Sequence, residues 1–447
     1  MTRSALPFGM EVAQLVSLAG RACQFASGVI TLLFVGYFYD LTTQGYFFTF
    51  SSLIALQVVA EMGLSIVLIQ FAAHQMGNLR WVDNRIDGDS TSKARLKSLF
   101  KFALGWFGVA AIVLMFVLIP VGLWFFSTAL TQPSALTLSW MLMVIFVACN
   151  LVVTAVTNII EGTGKVTEIA LLRLSQTTLG AIAAWASMAA GLGLLSLAIQ
   201  SAVALVIGLY FLMKFRRKFI MDILEFDGVE STLDWRREIL PFQWKIAVSW
   251  LCGYFVFQFS IPIIFATHGA AAAGRFGMSM QIFTSISSLC IVFISARMPS
   301  FGRLVSMNSN SELDRLFNHS FKQSFLILFF LISCALGLLF AIDVWSPTIA
   351  SRLLPFQLSL LLAMTCLGTH AVYAMSLYLR ACMMEPFMWL SVANGIIMAI
   401  FAPLMIPKYG SEGAVAAYMF VNLCVSLPFG AWIFTRIRAF RSLHARA

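Results

Sequence analysis

The chain has 447 residues, of which 60% are apolar and only 11% charged, with a formal net charge of +10 and a mean hydropathy of +0.90. A soluble domain carries about 25% charged residues, so a water-soluble fold is excluded. Apolar runs of about 20 residues recur from end to end, the length that crosses a bilayer as helix, and the alternating ten-residue segments of a membrane barrel do not occur.

The expected fold is an all-α polytopic membrane protein of about twelve spans in two six-helix lobes around a central cavity. Arg3 precedes a long first apolar run with no small-residue cleavage site after it, so the run reads as a retained span and not a signal peptide. In chain order the spans are 15–37, 46–72, 102–127, 137–160, 169–190, 194–213, 241–267, 275–299, 323–345, 355–377, 387–406 and 413–434. The breaks carry turn residues, as in "YDLTTQG", "TQPS", "THGAAAAG" and "PKYGSEG". With the N-terminus inside, only Arg275, Arg352 and Lys408 of the 29 Lys and Arg face outwards, and Arg21 lies within the first span. The positive-inside rule therefore places both termini in the cytoplasm. The charge is a topology signal, because the basic residues flank spans and form no nucleic-acid-binding patch.

The longest polar stretch, 214–240, divides the chain into an N-terminal lobe (1–213), a cytoplasmic linker and a C-terminal lobe (241–447). Six spans of like orientation on each side suggest parallel repeats of the transporter type. Polar residues recur at helical spacing on four spans. Span 1 has Ser17, Arg21, Gln24, Gly28 and Thr31, and span 2 has Gln57, Glu61 and Ser65. Span 7 has Lys245, Ser249, Gly253 and Ser260, and span 8 has Gly274, Gln281, Ser285, Ser288 and Ser295. Span 3 has no such stripe and is expected to face lipid. Polar stripes turn away from lipid, towards a cavity or towards a helix neighbour.

Arg21 and Glu61 lie about 24 Å and 22 Å from the turn that joins their spans, at 1.5 Å per residue. The same depth allows a cation and an anion to neutralise one another, either as a structural pair or as working groups in a wet cavity. Lys245 and Arg297 lie about 31–33 Å from the turn between spans 7 and 8, near the inner interface, where snorkelling is the alternative to ligand binding. Arg173, beside Gln176, occupies a similar level. Arg275 and His370 are weaker candidates. Eight scattered cysteines (23, 149, 252, 290, 334, 366, 382 and 424) read as packing residues. No paired carboxylates, His/Cys cluster or phosphate-binding glycine loop occurs. "EGTGKV" lacks P-loop spacing. An enzyme, including a membrane glycosyltransferase or polymerase, is disfavoured, and neither cofactor nor metal is expected.

The two-halved layout, with "GYFFTFSSLIALQVVAEMGLSIVLIQFAAHQM", "PFQWKIAVSWLCGYFVFQFSIPIIF" and "AAGRFGMSMQI", resembles the polysaccharide-transporter branch of the multidrug/oligosaccharidyl-lipid/polysaccharide exporter superfamily. Within it, the likeness is to bacterial O-antigen or capsule-type flippases. The resemblance implies a V-shaped pair of lobes with spans 1, 2, 7 and 8 lining the cavity. It implies ion-coupled transfer of an undecaprenyl-diphosphate-linked oligosaccharide, an O-antigen or exopolysaccharide repeat unit, from the inner to the outer leaflet of the inner membrane. On that reading Arg21, Lys245 and Arg297 meet the diphosphate, and Gln24, Gln57, Gln281 and the serines meet sugar hydroxyls. Glu61 would couple the ion. The partners implied are the lipid-linked oligosaccharide, the bilayer and the polysaccharide polymerase and chain-length machinery. A drug or organic-cation antiporter of the same superfamily is the alternative, and a fourteen-span peptidoglycan-precursor flippase ranks third.

Overall fold

Backbone that crosses lipid must close its hydrogen bonds within its own segment, which leaves helix as the form open to these apolar runs. The structure is a computed structural model describing residues 12–127, 133–226, 235, 240–307, 309–382, 384 and 386–444. Among the described residues it is helical apart from one short hairpin, and each of the twelve expected ranges falls on a helical pass. Eight helices are long and apolar enough to cross a membrane, and nine if the bent pair Leu41–Glu61 and Leu64–Asn78 counts as one span. Two of the eight run for 61 and 55 residues. At 1.5 Å per residue these would measure about 80–90 Å, far more than a hydrocarbon core of about 30 Å. Both turn back at a glycine with non-helical dihedrals, Gly269 (φ 84°, ψ 173°) and Gly410 (φ 57°, ψ −132°).

The described chain divides into two compact units, 1–27 with 53–251, and 28–52 with 252–447. In the first unit α4 (Leu64–Gln75), α5 (Ser90–Ser127), α6 (Pro133–Gly162), α7 (Val166–Ala189) and α8 (Leu195–Phe215) pack together. The fully buried Trp140 donates its indole N–H to Leu118 O at 2.9 Å. Gly122 makes room for that ring, since a Cβ there would lie 2.0 Å from the indole nitrogen.

One end of this unit is closed by soluble-type structure. Strands β1 (Leu79–Val82) and β2 (Arg85–Gly88) pair antiparallel about an Asp83–Asn84 turn, both residues at positive φ. The short helix α9 (Arg217–Glu225) lies against them and buries Phe219 and Ile223 completely. Asp222 accepts from Ile86 N–H at 3.2 Å and pairs with Lys93 at 3.0 Å. Lys165 and Arg216 stand 5.1 and 5.3 Å from the Trp81 ring centre. Arg216 also pairs with Glu168, so three connections at this end of the unit are tied together.

The second unit holds α10 (Leu240–Phe257) from Cys252 onwards, α11 (Ser260–Ser295), α12 (Met298–Ser306), α13 (Asn310–Trp345), α15 (Phe356–Ala381), α16 (Phe387–Met419) and α17 (Leu427–His444), with the four-residue α14 (Pro347–Ala350) before α15. Its core includes Phe301, Phe317, Tyr378 and Phe434 in mutual ring contact. The Tyr378 hydroxyl, which cannot be buried without a partner, donates to Asp314 at 2.6 Å, and Arg438 holds the other carboxylate oxygen at 2.8 Å.

Candidate functional site

Span 2 is not the unbroken helix that its hydropathy suggests. α2 (Leu41–Ile54) gives way to the turn Ala55–Leu56, then to the single turn of α3 (Gln57–Glu61), then to a second turn at Met62–Gly63 before α4. Met62 has φ 46° and ψ 33°, a left-handed conformation rare outside glycine, and Gly63 follows at φ 67°. Glycine is required at 63 for a second reason, because a Cβ would lie 2.3 Å from Ile246 Cγ2. Glu61 is therefore the last residue of a helical fragment, directly before a strained break, and accepts a hydrogen bond from Ser65 at 3.0 Å. Interrupted helices at membrane depth recur at transporter ion and substrate sites.

Gln57 and Glu61 are one helical turn apart on α3, Ser65 meets Glu61 across the break through its hydrogen bond, and all three are half-buried. Gln24 is exposed on α1 (Val12–Phe38). Arg21 and Lys245 fall on helices, but their side chains, and with them the expected Arg21–Glu61 pair, lie outside the described residues.

The second unit contains a cavity of about 540 Å³ between α2, α10, α11, α15 and α16, within the roughly 300–1,000 Å³ usual for small-molecule sites. Its apolar wall includes Phe48, Phe257, Phe283, Tyr373 and Tyr418. Its polar groups come from Ser51, Gln258, Gln281, Thr284, Ser287, Ser288, Thr369 and His370. Among the described residues, no Asp, Glu, Lys or Arg lines it. Thr284, Ser288 and Thr369 donate to carbonyls of their own helices at 2.7–2.9 Å, which spends their protons and leaves hydroxyl lone pairs as acceptors. Gln281 donates to Ser285 at 3.0 Å.

His370 is buried in the cavity wall with both ring nitrogens engaged. Ser324 gives its proton to Cys290 O at 2.7 Å, so it accepts from His370 Nε2 at 2.9 Å, and Nδ1 accepts from Ser287 at 3.2 Å. This pattern describes a neutral imidazole in a packing role. Behind Thr369 the last span widens into a π-helical segment, Phe420–Ser426, whose buried Asn422 has its Oδ1 3.2 Å from the Thr369 hydroxyl oxygen. Such segments concentrate at functional sites. The sequence marks this one only by an asparagine within an apolar run.

Of the expected cationic residues, Arg297 is half-buried before α12 and donates to Ser320 at 2.7 Å and Gln323 at 3.1 Å. It does not line the cavity. Arg173 is paired with Glu161 at 2.6 Å and Asn158 at 2.9 Å, which accounts for it structurally. Of the residues that the sequence pointed to, Gln281, Ser288 and His370 lie in the cavity wall. The other wall residues carry no mark in the sequence because five separate elements contribute to the wall.

No family model matches the chain, and neither does any curated protein. Its fold is similar to the inward-facing conformation of a multidrug resistance MATE family transporter of the MOP superfamily, with TM-score 0.69, 13% identity and 97% of both chains covered. The outward-facing conformation of such a transporter gives TM-score 0.59 at 13% identity over 96% of each chain. A MOP superfamily transporter from Pyrococcus furiosus, described as having a binding pocket of reverse polarity, gives 0.61 at 12% identity over 96% of this chain and 95% of that one. Over nearly its whole length, then, the chain has the two-lobed, all-α fold of the MATE transporters of the MOP superfamily.

Proposed function

We propose that the protein is an alternating-access exporter that moves an undecaprenyl-diphosphate-linked oligosaccharide from the inner to the outer leaflet of the bacterial inner membrane. The observation that carries this reading is the uncharged cavity wall of the second unit. Hydroxyl acceptors and aromatic faces suit sugar hydroxyls and the apolar faces of sugar rings. An organic cation withdrawn from water needs a counter-charge, and the described residues of this wall offer none. Arg297 supports an anion on the path, because its hydrogen-bond partners are neutral and leave its charge uncompensated by them. In this scheme Arg297, Lys245 and Arg21 receive the diphosphate, while Gln24, Gln57 and Gln281 serve the glycan. Glu61, at the break in span 2, exchanges a proton as the diphosphate competes for Arg21. Both termini are cytoplasmic, and the polysaccharide polymerase and chain-length machinery act on the product.

Drug or organic-cation antiport is the second reading, favoured by the multidrug transporters among the similar folds. Deletion of the gene separates the two. The first reading expects loss of a surface polysaccharide with unchanged drug susceptibility. Increased susceptibility to cationic drugs with normal polysaccharide would overturn it.

A further inference from the structure

The first unit has a groove of its own, about 410 Å³, lined by Gln70, Phe71, His74 and Gln75 of α4 and by Arg95 of α5. That volume is within the range of small-ligand sites. Gln70 and His74 stand one helical turn apart and are both exposed. Polar side chains are costly against lipid tails, so this face of α4 meets water or headgroups. Gln75 differs from them. It is only 5% exposed yet lines the groove, and among the described residues its side-chain amide makes no hydrogen bond. A buried amide is normally hydrogen-bonded, so the groove is where its partner has to come from. Among the described residues the groove has a guanidinium in its wall and no Asp or Glu. The apolar run of span 2 ends near residue 72 and that of span 3 starts near 102. The groove between them therefore stands at the headgroup level of one leaflet, the inner one on the expected topology.

We propose that this groove binds the phosphate or diphosphate of a lipid headgroup. Its donors match that chemistry. Arg95 presents a planar fork of N–H groups, the shape that meets two phosphate oxygens at once. His74 adds an imidazole N–H, and Gln70 and Gln75 add amide N–H groups. A cationic ligand would find no counter-charge on the described wall, whereas an anion finds one. Phe71 gives an apolar surface for the first carbons of a lipid chain or the face of a sugar ring. The headgroup level favours a phosphate carried by a lipid over one free in solution. Two lipids present this chemistry: the diphosphate-linked cargo proposed above, and an ordinary anionic phospholipid. The phosphate is read from the groove alone, and the choice of the cargo as its bearer rests on the exporter reading.

The test is native mass spectrometry of the full-length protein, released from detergent with undecaprenyl diphosphate, phosphatidylglycerol or undecaprenol as probe. The diphosphate should be held far more tightly than undecaprenol, which has the same chain without the phosphates. Arg95→Gln should weaken it about ten-fold, the effect of one hydrogen bond to a charged group, and His74→Ala about three-fold. Binding of undecaprenol should stay constant in both, which a merely structural role for these residues does not predict. Gln75→Leu, a milder change for use if Arg95→Gln does not fold, should also weaken the diphosphate. Phosphatidylglycerol held as tightly, and weakened by the same changes, would support the phosphate site with phospholipid as its source. Undecaprenol held as tightly as the diphosphate, or diphosphate binding unmoved in variants that fold, would overturn the groove. That result beside intact movement of lipid-linked oligosaccharide would leave the exporter reading standing. Weakened binding in variants of a protein that moves no such lipid would support the groove and remove the exporter.

Discussion

At the scale of single residues, Glu61 was legible because an acid in an apolar run is costly and conspicuous. The strained backbone beside it was not, since nothing in "AEMGLS" announces positive φ at Met62 as well as at Gly63. Gly63→Val should cost about 2–4 kcal/mol through strain and overlap with Ile246, seen as a lower Tm and a smaller folded yield. Exchanging charges between Arg21 and Glu61 (Arg21→Glu with Glu61→Arg) should restore protein abundance without transport if the arginine handles substrate. Recovery of both would reduce Glu61 to a structural partner. At the start of α5, Asp89 accepts from the Ser92 N–H and hydroxyl, each at 2.8 Å. These bonds, the backbone one foremost, hold its carboxyl below the ordinary 3.8. A carboxyl depressed by folding stabilises the fold fully above its unfolded value and loses that contribution as pH falls through the folded one. Amide exchange at residues 90–93 should therefore stay slow at neutral pH and quicken in acid, whereas Asp89→Ala should exchange quickly at both. An unchanged exchange rate in Asp89→Ala would remove the cap from the account.

At the scale of elements, hydropathy located the passes but not their ends. α5 begins at Ser90 and α13 at Asn310, each about a dozen residues before the apolar run it carries. Polar helix that projects beyond the bilayer leaves no hydropathy signal. The hairpin in "LRWVDNRIDG" was hidden among basic residues that had been read for topology alone. Its Asp-Asn turn and the alternate burial of Leu79, Trp81 and Ile86 were the available clues. Asp222 fastens this hairpin and α5 to α9, so Asp222→Ala should lose about 1–3 kcal/mol. Limited proteolysis should then cut within residues 79–88. Resistance equal to that of the native protein would mean that the hairpin stands without α9.

At the scale of the whole molecule, the two-lobed all-α architecture was written in composition and in the spacing of spans. The cavity was not, because it depends on which faces of five elements converge. Gln281 showed itself through its stripe, whereas Tyr373, Tyr418 and Gln258 look like ordinary span residues until the helices are packed. The account rests on the claim that this uncharged wall carries a glycan. Thr284→Val with Gln281→Leu keeps size and removes polarity, so it should lower transport about ten-fold or more, with normal abundance, if two hydrogen bonds to sugar are lost. The most direct measurement is translocation in proteoliposomes loaded with lipid-linked oligosaccharide, followed by the accessibility of the glycan to an external lectin. The account predicts protein-dependent transfer between leaflets that the double substitution slows. Glycan accessibility no different from that of protein-free liposomes, together with protein-dependent transport of an organic cation, would contradict it.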